Sequence, residues 1–181
     1  SEIERLEREV REVIKESEES VRRLKKRVDD TVRENEELVK RLEDRVRRMK
    51  ERLEDARRRG RPEKDIEELL KTIAKEIKDV LEESRESNER SNTDIKRVLE
   101  ENTKLVKDVL RRIERVLDKS TDDDVKRKIR KVMEEIKKRA DDSRRKIEDV
   151  ARKDNKAVER SLRRIERLLE EITRVVEEIK K

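Results

Sequence analysis

"ESRESNERSNTD" occupies residues 83–94, and no apolar residue stands between Leu81 and Ile95. Thirteen consecutive polar residues could form a loop, a hinge, a binding surface, or a polar patch buried inside a helix bundle. The surrounding chain decides among these. Charged residues make up 59% of it and hydrophobic ones 29%, far from the globular average, a composition that suits either disorder or long helices. Leu, Ile and Val nonetheless number 46, and a net charge of +6 is small for 181 residues, so the signature of disorder is only half met. Periodicity is then the deciding signal.

One Gly and one Pro fall together in "ARRRGRPEKD", where Gly60 suits a left-handed helix C-terminus and Pro62 the first turn of the next helix. A second break is "DKSTDDDVKRK". There Ser120 or Thr121 can cap a helix, while Asp122, Asp123 and Asp124 place negative charge at its positive end. Ser1 and Glu4 have the spacing of a capping box. The breaks predict an all-α chain of three long helices, about 2–59, 62–118 and 122–180. Near-equal lengths and short turns favour an antiparallel up-down-up bundle, a rod formed by one domain over residues 1–181.

The apolar residues repeat every eighteen positions. In the first helix Ile3, Leu6, Val10 and Val13 return as Val21, Leu24, Val28 and Thr31, and again as Val39, Leu42, Val46 and Met49. In the third, Ile129, Val132 and Met133 return as Ile147, Val150 and Ala151, then as Ile165, Leu168 and Leu169. Eighteen residues are five turns at about 3.6 per turn, so the stripe stays on one face of a nearly straight helix.

The second helix answers the opening question. Its first copy sets Ile66, Leu69, Leu70, Ile73 and Ala74 on the inner face, and its third sets Asn102, Leu105, Val106, Val109 and Leu110 there. The middle copy reads Ser84, Ser87, Asn88, Ser91, Asn92, with Arg85, Glu86, Glu89 and Arg90 falling outward. The stretch keeps helical phase, which a loop would not. It reads as helix with a small, neutral polar inner face.

Antiparallel packing about the two turns pairs residues of helices one and two whose numbers sum to about 122, and of two and three to about 243. Thr31 and Asn35 then come level with Ser87, Asn88, Ser91 and Asn92, and with Asp154 and Asn155. Ser17 and Ser20 fall near Asn102 and Ser143, and Ser84 near Ser161. These fourteen residues are the candidate site, a structural polar network in the core. Buried polar groups left unpaired cost about 1–3 kcal/mol each, so donors and acceptors at common heights are what a satisfied network needs. Such a network chiefly secures register and partner choice.

Over its whole length the chain resembles de novo designed helical bundles with buried hydrogen-bond networks. The resemblance rests on the equal helices, the aliphatic inner faces, the Glu/Arg/Lys surfaces, the short turn "GRPEK" and the Ser/Asn layers. Natural three-helix rods such as spectrin repeats characteristically carry core aromatics, and this chain has none. The resemblance implies a structural scaffold without natural biochemical activity. The alternative is a helix-binding or conformational-switch module that opens at residues 83–94.

Other functions find little support. Phe, Trp, Tyr, Cys, His and Gln are absent, which removes imidazole and thiolate chemistry, disulfides and aromatic stacking platforms. No catalytic, cofactor-binding or metal-ligating residue is expected, nor any cofactor. Most carboxylates stand at helical spacing from Lys or Arg, where helix stabilisation explains them. Asp154 is the exception, since it takes the seat of Ile136 and Ile172; a lone core carboxylate is too few ligands for a tight metal site and reads as an acceptor in the central layer. Residues 124–146 hold eleven Lys and Arg against five acids, but without aromatics or a binding motif they read as a solvated face, with no specific nucleic-acid partner. No apolar run approaches the roughly 20 residues of a membrane span, and "SEIERLEREV" lacks a signal-peptide core. The expectation is a soluble protein, as from recombinant cytosolic expression, requiring no partner. Its inner faces suit a closed three-helix bundle, and a homo-oligomer sharing cores remains open.

Overall fold

The computed structural model describes residues 1–180. Three helices, α1 (Glu2–Arg58), α2 (Glu63–Lys119) and α3 (Asp123–Lys180), pack against one another as a three-helix bundle, with no strand among the described residues. Each boundary lies within one residue of the expected one. All three helices bury one aliphatic stripe and turn charge outward, which is why chains with so few apolar residues can still pack.

The termini follow from local chemistry. The hydroxyl of Ser1 accepts from the Glu4 backbone N–H at 3.3 Å, the first half of the capping box. At the end of α1, Gly60 adopts φ +63°, the Gly60 N–H donates to the Arg57 carbonyl, and the Arg61 N–H reaches back to the Ala56 carbonyl. This paired arrangement is a Schellman closure, which needs a residue in the left-handed region. At the start of α3 the cap differs from expectation. Asp122, rather than Ser120 or Thr121, accepts the Asp124 N–H on its side chain at 2.9 Å. A carboxylate there satisfies an orphan donor and also opposes the helix dipole, which a hydroxyl does less well.

By backbone contacts the chain divides into two compact units, each taking a segment from all three helices. The first comprises residues 1–28 and 92–153. Its core joins Leu6, Val10 and Val13 of α1, Val109 and Ile113 of α2, and Ile129 and Ile136 of α3. Outside it, Glu9 pairs with Arg112 at 3.5 Å and Arg27 with Asp94 at 2.7 Å, and each pair of numbers sums to 121. The second comprises residues 29–91 and the part of α3 from Asp154 onward. Val39, Leu42, Val46 and Met49 meet Ile73, Ile77 and Val80, with Ile165 and Leu168 completing the core. Arg45 and Glu76, at 3.5 Å, again sum to 121. Within each unit α1 and α2 thus run antiparallel in the register that turn geometry dictates.

Candidate functional site

Two polar layers are built from side chains at equivalent seats. In the second unit Asn35 of α1 stands between Ser84 of α2 and Ser161 of α3. The Ser84 hydroxyl donates to Asn35 Oδ1 at 2.7 Å, and Asn35 Nδ2 donates to Ser161 Oγ at 3.0 Å. One amide therefore uses both its acceptor and its donor to join three helices. In the first unit the same seats, eighteen residues away along each helix, hold Ser17, Asn102 and Ser143. The Ser17 hydroxyl donates to Ser143 Oγ at 3.4 Å, at the long end for such a bond. All three are buried and line one cleft, while Asn102 Nδ2 has no hydrogen-bond partner. Each layer contains one asparagine and two serines, but the asparagine sits on α1 in one and on α2 in the other.

The remaining candidates spread over the second unit and its edge. Ser91 and Asp154 are buried. Thr31, Ser87 and Asn88 are half-buried, as is Ser20 in the first unit. Ser87 Oγ accepts from its helical neighbour Arg90 at 3.2 Å, so its bond is local. Asn88 carries a buried Oδ1 without a partner, and the hydrogen bonds of Asn35 go to Ser84 and Ser161 instead. Asn92 and Asn155 are exposed, contrary to the inner positions expected of them. The reason is angular. Each follows a central seat, Ser91 or Asp154, by one residue, and a step of about 100° carries the side chain off the core face. Three other occupants of those seats, Ala74, Lys137 and Thr173, are exposed too, while Leu110 is half-buried at the edge of the first unit's core.

Asp154 is only 2% exposed, and its Oδ2 has no partner. Burial pushes its carboxyl above the usual carboxylate range. Asp94 is its opposite. The Arg27 guanidinium grips both its oxygens, at 2.7 and 3.0 Å, and Arg97 adds a bond at 2.6 Å. Arg27 above all, with Arg97, holds the Asp94 carboxyl below its ordinary value. This cluster was not among the sequence candidates. The Asp94–Arg97 spacing was visible as a helical pair, but the cross-helix Arg27 is found only through the register sum of about 121.

Among the described residues, no group of three or more carboxylates, cysteines or histidines is placed to hold a metal ion, and no helix is long and apolar enough to cross a membrane. No protein-family description matches the chain, and no curated protein does. A solved structure described as a computationally designed three helix bundle is similar over 99% of this chain and 89% of its own, at 22% identity and a TM-score of 0.60. At that identity the likeness shows the fold: this chain is a three-helix bundle.

Proposed function

We propose that the protein is a designed structural scaffold, acting as a single domain over residues 1–181, in which the polar layers fix helix register and pairing. The observation that carries this reading is the displaced asparagine, on α1 in the Asn35 layer and on α2 in the Asn102 layer. The short turns hold the helices of one chain near one register, but pairing between chains through an eighteen-residue apolar repeat is degenerate, because helices offset by five turns match apolar seats again. Polar residues break the degeneracy. An α2 offset by one repeat would set Ile66 or Asn102, according to direction, against Asn35 in place of Ser84, and in either case Asn35 loses its hydroxyl donor. The fold of the similar solved structure supports the designed reading, as does a core whose apolar part is aliphatic with no aromatic residue.

On this reading no substrate, cofactor, nucleic acid or membrane is required. The test replaces Asn35, Ser84 and Ser161 together by Leu or Ala and follows molar mass and NMR line widths. A scaffold whose register depends on the layer keeps or gains stability but shows mixed association states or multiple conformers. Unchanged mass with a single sharp spectrum would remove the register role.

A second reading, a helix-binding or switch module opening at residues 83–94, draws on the unpartnered Asn88 Oδ1 and Asp154 Oδ2, which weaken the polar middle. Hydrogen exchange separates the two. Slow exchange through residues 84–92 favours the static scaffold, and fast exchange confined there favours the switch.

A further inference from the structure

We infer that the turn between α1 and α2 is a cleavage site for serine endoproteases of the trypsin class, cut at the Arg59–Gly60 bond, and that the cut chain persists as a complex of two pieces. Such an enzyme reads the cation just before the scissile bond through a carboxylate in its specificity pocket. Exposed loop tips are where chains present themselves to it, since a helix must unwind first. Among the described residues, only Arg59 and Arg61 are basic and lie outside the helices. Arg61 precedes Pro62, whose ring and missing N–H deny that bond to the enzyme. Arg59 is left, followed by Gly60, and residues 57–62 are all exposed.

The turn is held by few ties. The Arg59 N–H donates to the Asp55 carbonyl at 3.0 Å, the Gly60 N–H to the Arg57 carbonyl at 3.2 Å and the Arg61 N–H to the Ala56 carbonyl at 3.0 Å, while an exposed ion pair joins Arg59 to Asp55 at 3.4 Å. Gly60 can pass from φ +63° to an extended conformation without steric cost. Lys119, the last residue of α2, is the nearest rival. Asp118, Asp122, Asp123 and Asp124 surround it with charge of the sign the protease pocket carries, which opposes docking. Hydrolysis at Arg59 consumes one water, whose hydroxyl goes to the Arg59 carbonyl carbon and whose hydrogen goes to the Gly60 nitrogen as the C–N bond breaks. The α1 piece then stays in place. It buries Leu6, Val10 and Val13 in the first unit and Val39, Leu42 and Val46 in the second, and Asn35 keeps its bonds to Ser84 and Ser161.

The experiment exposes the full chain to a trace of trypsin and follows the digest by mass spectrometry and by size exclusion without denaturant. The first internal cut should yield residues 1–59 and 60–181, which co-elute at the mass of the uncut protein plus one water and separate only in denaturant. Arg59→Gln keeps the backbone bonds of the turn but removes the cation. It should slow the first cut at least about tenfold, since cleavage then waits on the rarer unwinding of a helix end. Arg59→Lys should restore the rate, and Lys119→Gln should leave it unchanged. A first internal cut at Lys119–Ser120 or inside a helix, equal cutting of Arg59→Gln, or pieces that part without denaturant would each overturn the inference.

Discussion

Ser84 donates to Asn35 Oδ1 at 2.7 Å, so the amide is oriented with Nδ2 toward Ser161. Substituting Asn35 by Ala strips a partner from two hydroxyls at once. The expected loss is about 1–3 kcal/mol in urea denaturation. Ser84→Ala should be coupled to it, the double mutant departing from additivity by more than the roughly 0.5 kcal/mol of independent sites. Additive effects would mean that the three side chains act separately.

Asn88 offers a contrast within the same unit. Its Oδ1 is buried without a donor, in the seat that Leu70 and Val106 occupy one repeat away. Asn88→Val should therefore stabilise the protein by about 1 kcal/mol, whereas Asn35→Val should destabilise it. Equal signs for the two changes would contradict the difference in their hydrogen bonding.

The carboxyl of Asp154 is held above its ordinary value by burial. Below the ordinary carboxylate range it is neutral in both folded and unfolded chains and imposes no charge penalty. As pH rises through the raised folded value the unfolded chain has already lost the proton, so stability falls and then levels off. Asp154→Asn should match the parent near pH 3 and exceed it at pH 7, by about 1 kcal/mol or more. Denaturation curves at several pH values measure this, and an advantage that fails to grow with pH would refute it.

Asp94 should show the reverse sign. Its folded value is depressed, chiefly by the Arg27 hydrogen bond, so its contribution is present above the ordinary value and disappears as pH falls through the folded one. Asp94→Asn is expected to cost about 0.5–1 kcal/mol at neutral pH and low salt, given that Arg27 and Arg97 are both solvent-exposed. The difference should shrink in 1 M salt, where the screening length is about 3 Å, and vanish at low pH.

Gly60 carries the left-handed conformation that closes α1, and a methyl group there would meet nothing within 4 Å. Gly60→Ala should cost about 1–2 kcal/mol through backbone preference alone. Gly60→Asn should cost less, because Asn tolerates that region. Thermal denaturation of both checks the order.

Most of the fold was legible because helix signals are local and repeated. Gly60 and Pro62 marked one turn, and the eighteen-residue spacing identified which face each helix buries. The register of α1 against α2 came within one of the sum shown by the ion pairs because the one short turn between them leaves little freedom. The site was legible at the level of seats and less so at the level of bonds. Asn92 and Asn155 share the polarity of their inner neighbours, and the helical step of about 100° past Ser91 and Asp154 places them outside. The hydroxyl that meets Asn35 was missed by about one turn, since the expected sum of about 122 set Ser87 level with it and the bonded pair Asn35 and Ser84 sums to 119.

The repeat also makes length an adjustable quantity. Because each block of eighteen is a whole number of turns, excising one block from all three helices at matching heights returns every later side chain to its former azimuth. Each helix would shorten by about 27 Å for each block. Residues 19–36, 83–100 and 145–162 form such a set, and their removal would keep the Ser17, Asn102 and Ser143 layer while deleting the other.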